Sequence, residues 1–504
     1  MVQRVDEAPV VSGVGRSAGW SLLQVAALSA ANLLIPAVAL REVGPQAFGF
    51  AAAVSAAVAV VTVLDLGLSA NVIRTVASMV GEGRRPTAGD DRLRTVETAI
   101  CVQLWVAAVI AFSVTVCGLL LLDAEETIAV VGFGLGAATF VATSSVHASV
   151  TGERQFSTLA ASAVVGAAVH VSVVLATIAA FGVGALGLGY VASVLASRAI
   201  LVVRVWRSSE WFPWRVRRPK ADDAVAAASF GAPLLIVAAS SHVVTLSDIF
   251  VVGATAGTAA VAFYRIGSLA PTMAVNLLYR VFDVVYPHLS AVADDTRRLE
   301  SLRILNRLTS YVAGLGFGFL IAQRSEVIRL LAGEVGDVTM EVLVIFALVW
   351  LVNVPVHGLV LLLMAADRHR FLAVLVAVEA VVNVLLSLVL APRWGATGVA
   401  WATLATITIS NSVVLPRIAS RRVGAGVADL VYRAGYLPAV VGLAIALGTA
   451  ASGGASDSPL ISSAVHAGVA VGVGVVVGSI VIGPRGRQET ASVLFTRKDS
   501  KEAS

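Results

Sequence analysis

Apolar runs of about 18 or more residues recur along this 504-residue chain, and a run of that length matches a hydrocarbon core about 30 Å thick. Such runs read as membrane-spanning helices. Charged residues make up only 13% of the chain against 58% hydrophobic, and the mean hydropathy is +0.89. A soluble domain uses roughly one-quarter charged residues, so this composition excludes one. Spans are expected near residues 17–40, 48–70, 95–122, 127–149, 158–181, 185–203, 224–246, 262–287, 305–322, 342–364, 371–390, 395–415, 434–451 and 461–482. The expectation is an all-α membrane protein with about fourteen transmembrane helices.

Loop charge tests the map independently of hydropathy. Of the 36 lysines and arginines, 28 fall in loops assigned to the cytoplasm and 4 in the opposite loops, which places both termini in the cytoplasm. The net charge of +5 therefore reports topology, and no nucleic-acid partner is implied. The N-terminal residues lack the order of a cleaved signal peptide, so the first span is expected to direct insertion. The two cysteines, Cys101 and Cys117, lie in one expected helix about 24 Å apart, which implies neither a disulfide nor a metal site. Three lysines against a large excess of arginine, with much Ala and Val, point to a GC-rich bacterial genome.

The most basic stretch, residues 204–223, lies near the middle of the chain. It divides an N-terminal lobe (1–203) from a C-terminal lobe (224–415), followed by two further spans (416–482) and a cytoplasmic tail (483–504). Its Trp206, Trp211 and Trp214 suit either a segment lying on anionic headgroups or a solvated linker. A weak internal repeat supports the division. Phe156 and Phe371 are offset by 215, Gly184 and Gly395 by 211, and Gly44 and Gly257 by 213, the last pair followed by Phe50 and Phe263.

The phrases REVGPQAFGF (41–50) and DLGLSANVIRTVAS (65–78) open the first lobe, and SDIFVVGATAGTAAVAFYRIG (247–267), VVYPHLSAVADD (284–295) and VEAVVNVLLSLVLAPRWGATGVAWATL (378–404) follow in the second. In order and spacing the chain resembles the bacterial oligosaccharide-lipid flippases of the O-antigen and exopolysaccharide type. These sit in the superfamily that also holds lipid II flippases and multidrug extrusion antiporters. The resemblance implies a V-shaped bundle of two six-helix lobes around a central cavity, with two C-terminal helices appended. It also implies a substrate, a sugar chain on polyprenyl diphosphate, moved from the cytoplasmic to the outer leaflet of the bacterial inner membrane. Its partners would be this lipid-linked oligosaccharide, membrane lipids, and the polymerase and glycosyltransferases of polysaccharide synthesis, with no cofactor.

Polar residues at membrane depth are costly and mark interior faces. On the eighth span Thr272, Asn276, Tyr279, Arg280, Asp283 and Tyr286 fall within about 60° of Arg265, a stripe roughly 30 Å long. The first span carries Gln24 and Asn32, the second Asp65 and Arg74, the seventh Ser241, Thr245 and Asp248, and the eleventh Glu379, Asn383 and Ser387 at four-residue steps. Arg265, Arg280 and Arg74, with Asn276 and Asp283, are the candidates for the diphosphate, because a guanidinium is a planar, permanently charged donor. Glu379, Asp65 and Asp248 are the candidates for coupling to a proton or cation. Each has a plainer reading: Arg74 caps its helix at the membrane surface, Arg265 snorkels, Arg280 pairs with Asp283, and Asp248 sits among outer headgroups. The seven histidines are scattered and read as packing residues.

Three other classes compete. A cation-coupled drug extruder shares the fold but needs acids as its main cavity charges. A polymerase or glycosyltransferase needs a longer catalytic loop than the roughly twenty residues available here, and no nucleotide-binding or hydrolase motif occurs. A transport-inactive scaffold would have shed its intramembrane charges.

Overall fold

A computed structural model describes residues 11–62, 68–81, 91–209, 211–214, 246–291, 295–333, 336–365, 369–423 and 426–452. Every regular element among them is helical. The first lobe comprises α1 (Val11–Thr62), α2 (Leu68–Gly81), α3 (Asp91–Leu121), α4 (Ala124–Ala142), α5 (Ser144–Gly152), α6 (Phe156–Phe181) and α7 (Gly184–Ser208). The second comprises α8 (Leu246–Ala256), α9 (Thr258–Ala291), α10 (Asp295–Ala322), α11 (Arg324–Ala332), α12 (Asp337–Ala365) and α13 (His369–Ile409). A π-helical turn (Ser410–Val414) leads into α14 (Leu415–Val423). The short α15 (Gly426–Ala428), a second π-helical stretch (Asp429–Tyr436) and α16 (Leu437–Ser452) follow.

Ten of the described helices are long and apolar enough to cross a membrane, and two of them hold two spans each. α1 turns at Gly44 (φ 81°) and α13 turns at Gly395 (φ 56°), a left-handed conformation that only glycine adopts cheaply. Twelve of the fourteen expected spans are thereby accounted for. The expected span 461–482 lies outside the described residues, as do residues 224–245 of the seventh. The C-terminal boundary of the seventh span departs from expectation: α8 runs to Ala256, ten residues past the expected end at 246. The polar pair Ser247 and Asp248 does not break the helix because Asp248 is hydrogen-bonded inside the protein.

The repeat is visible in the backbone. Gly44 and Gly257 have φ of +81° and +83°, and Gly182 and Gly395 have +48° and +56°, both pairs separated by 213 positions. The pairing of Gly184 with Gly395 read from the sequence is thus corrected to Gly182. In each lobe one such glycine turns the chain between its first and second spans or their counterpart, and the other between the fifth and sixth.

Small residues set the closest approaches. In the first lobe Gly132 meets the backbone of Gly187, so α4 and α7 touch without intervening side chains. In the appended part Gly314 and Gly442 bring α10 and α16 together in the same way. Among the described residues the lobes pack through α1 against α9 and α11. There a Cβ on Gly49 would lie 1.8 Å from the Thr258 carbonyl oxygen, so the lobes meet backbone to backbone. The guanidinium of Arg41 donates to the Leu330 carbonyl at 2.8 Å at the same end. The V is pinched at the end bearing Gly44 and Gly257.

The basic stretch begins inside structure. α7 continues to Ser208, Arg204 Nε donates to Gln155 Oε1 at 2.8 Å, and Ser209 Oγ donates to Glu153 Oε1 at 2.9 Å. Phe212 is buried against Val205 and its neighbours, whereas Trp206 and Trp214 are exposed.

Candidate functional site

Below the pinch lies a cavity of about 320 Å³, lined by the first lobe and closed by a single residue of the second. α1 supplies Asn32 and Ser55, α4 supplies Phe133 and Phe140, α6 supplies His170, α7 supplies Tyr190, and α9 supplies Arg265. The last is the charged group among the described lining residues, and it is half-buried against the first lobe. Phe133 packs on Tyr190 with ring centroids 5.3 Å apart, and His170 meets Tyr190 edge-on at 6.3 Å. The site is therefore one cation opposite an aromatic wall with hydroxyl and amide groups between them. That wall can lie against sugar faces or apolar rings, and the guanidinium can hold an anion.

Behind the wall stands a second guanidinium. Arg198 of α7 is buried, its guanidinium carbon 4.3 Å from the centroid of the Phe140 ring, close enough for a cation–π contact. His170, Tyr190 and Arg198 come from two helices and share no spacing, so their convergence on the aromatic wall alone identifies them.

The remaining candidates are spread over three places. Asn276 and Arg280 continue the Arg265 face of α9 and are exposed; Arg280 stands about 22 Å along the helix from Arg265, too far to share one phosphate group with it. Asp283 follows one turn beyond, its side chain outside the described residues, as is Asp65 altogether. The expected stripe is divided, because Thr272 accepts from Trp350 Nε1 of α12 at 3.4 Å and Tyr279 stacks on His357 at 4.0 Å. Arg74 is exposed on α2, which packs on α3 and α5 away from the cavity.

Asp248 lies within the second lobe at 1% exposure, which overturns a place among headgroups. Its Oδ2 accepts from Tyr264 Oη at 2.6 Å and from Thr403 Oγ1 at 2.7 Å. Asn383 Nδ2 in turn donates to Thr403 Oγ1 at 3.0 Å, and Ser387 faces the same carboxylate. Three elements, α8, α9 and both halves of α13, thus converge on one carboxyl. Glu379 does not line the central cavity. It sits in a separate crevice between the halves of α13, beside Ser410 and Thr406.

An all-helical bundle of two lobes around a central cavity, with helices appended after the twelfth span, is a multi-pass membrane protein of the transporter fold shared by the multidrug/oligosaccharidyl-lipid/polysaccharide exporter (MOP) superfamily. Residues 39–335 match the family described as polysaccharide biosynthesis protein, and the chain belongs to that family. Solved structures agree on the fold. A multidrug resistance MATE family transporter of the MOP superfamily in an inward-facing conformation is 13% identical, with a TM-score of 0.66, over 80% of this chain and 95% of that one. The lipid II flippase MurJ in an inward closed conformation is 12% identical, with a TM-score of 0.67, over 92% and 98%. The MATE multidrug transporter DinF-BH is 14% identical, with a TM-score of 0.61, over 86% and 100%. Comparison with curated proteins found no match.

Proposed function

We propose that this protein is a flippase that carries a polyprenyl-diphosphate-linked oligosaccharide from the cytoplasmic to the outer leaflet of a bacterial inner membrane by alternating access. The observation that carries the reading is Arg265 in the cavity, a cation facing the aromatic pair Phe133 and Tyr190. A diphosphate diester bears about two negative charges, and a guanidinium is the donor best matched to it in a partly dry site. The sugar chain would lie on the aromatic wall and reach Asn32 and Ser55. Arg280 and Asn276, further down the same face of α9, would meet the headgroup before or after the cavity does. Arg74 and Asp283 remain proposed contacts of the same traffic. Membership of the polysaccharide biosynthesis family supports this substrate class. The lipid-linked oligosaccharide would come from glycosyltransferases on the cytoplasmic side and pass to a polymerase outside.

Multidrug extrusion is the second reading, favoured by the shared fold of the MATE transporters. A cavity whose described charge is an arginine is mismatched to cationic drugs and argues for the flippase. Coupling falls to Asp248. An inside-negative potential contributes about 2.3 kcal/mol per charge per 100 mV and favours inward return of a proton or cation, which would reset the emptied carrier. Depletion of the protein followed by mass spectrometry of the lipid extract tests the substrate. A lipid-linked glycan should accumulate; an unchanged lipid profile with increased retention of cationic dyes would select the drug extruder.

A further inference from the structure

We infer that the seam between the two halves of α13 is a proton path joining the lipid-side carboxyl of Glu379 to the buried carboxyl of Asp248. This rests on the coupling role proposed for Asp248 and adds the route by which a proton reaches it.

α13 reverses at Gly395, so its two halves pack antiparallel, and polar groups recur along both sides of the contact. Glu379, Asn383 and Ser387 stand at four-residue steps on one half; Thr403, Thr406 and Ser410 stand at three- and four-residue steps on the return. Ser410 and Thr406 flank Glu379 at one end, and the Asn383 to Thr403 to Asp248 chain closes the other. Asn383, Ser387, Thr403, Thr406 and Ser410 are all buried.

A helix–helix seam in a membrane packs best with small apolar residues, and each buried polar atom left unpaired destabilises it. Here Asp248 Oδ1, Asn383 Oδ1 and Thr406 Oγ1 make no hydrogen bond to the described residues, and the Ser387 and Ser410 hydroxyls only face the Asp248 and Glu379 carboxyls, outside ordinary hydrogen-bond geometry. They form a file, not a scatter. Successive rungs stand about 5–6 Å apart, a gap that one bridging water closes. The π-helical turn that starts at Ser410 is the second irregularity, placed where the file reaches Glu379.

The mouth faces sideways. Glu379 lies in a crevice of about 160 Å³ whose rim residues Val378, Val382 and Ile409 are 56%, 45% and 60% exposed on the outer surface of the bundle. Among the described residues no other titratable group lines this crevice. At the far end the titratable partner of Asp248 is the Tyr264 phenol from α9. From α12, Glu341 faces α13 only at Thr397 beyond the reversal, and Tyr432 and Tyr436 are bonded at Ser412.

The transfer balances as an exchange. The Glu379 acid releases its proton to the adjoining hydroxyl or water, each hydroxyl or bridging water passes one proton on while Asn383 orients the Thr403 hydroxyl, and the Asp248 carboxylate receives one. The products are the Glu379 carboxylate and the Asp248 acid, and the next proton arrives on Glu379.

The test uses the full-length protein in lipid vesicles. After a pH step, infrared difference spectra should show a protonated-carboxyl band that Asp248→Asn removes. Glu379→Gln and the near-isosteric Thr406→Val should slow its appearance by about tenfold or more. Thr177→Val, whose hydroxyl bonds only its own helix, should not. Unaltered rates in both seam variants would overturn the path. Wild-type protein reports independently of any variant: a membrane-soluble carbodiimide should label Glu379, more at low pH, while labelling by a water-soluble carbodiimide alone would overturn the lateral mouth. If the band and its variant dependence hold while flipping ignores imposed gradients, the path stands and the coupling proposal fails, so the two are separable.

Discussion

The hydroxyl of Thr403 donates to Asp248 Oδ2 at 2.7 Å across 155 positions of sequence, tying the second half of α13 to α8 inside the second lobe. Removing the donor with Thr403→Val leaves a buried carboxyl with one fewer partner. The expected cost is about 1–3 kcal/mol, read as a lower midpoint of thermal unfolding in detergent. Asp248→Asn should instead keep the fold while abolishing the dependence of flipping on an imposed gradient. Gradient-dependent transport by Asp248→Asn would remove Asp248 from the coupling scheme.

Arg265 should be the most sensitive of the three candidate arginines, because it alone lines the cavity. Arg265→Lys keeps the charge but loses the planar fork and should impair glycan export; Arg265→Ala should be worse. The same changes at Arg280 and Arg74, both exposed, should cost less. Normal export by Arg265→Ala at wild-type expression would refute the anion site.

Gly49 has no room for a side chain against Thr258. Gly49→Leu should wedge the lobes apart at the end bearing Gly44 and shift the carrier toward the state open there. Cysteine-accessibility labelling from the two sides of the membrane reads the shift, and an unchanged pattern would mean that the pinch is no gate.

Reporter fusions near residues 215, 300 and 420 should report cytoplasm, and those near 124, 335 and 455 the outside, as the asymmetry of 28 basic residues against 4 requires. A signal from outside at the central basic loop would invert the map.

The hydrophobic runs and the glycine offset by themselves determined the spans found among the described residues and the repeat seen in the backbone. These are properties of the chain against a bilayer: an apolar run about 30 Å long must cross, and a glycine forced to positive φ turns the chain wherever it stands. Only the tertiary structure decided which polar residues meet. Asp248 looked like a helix end because its partners, Tyr264 and Thr403, belong to other elements. Glu379, Asn383 and Ser387 share one helical face in sequence, yet two of them turn to Asp248 and the third to a lateral crevice. Arg198, His170 and Tyr190 carry no pattern at all until α6 and α7 pack beside α4. Periodicity reports the face of a single helix, whereas the polarity of a site depends on what the neighbouring helix brings to that face, and the seams between helices are made by folding.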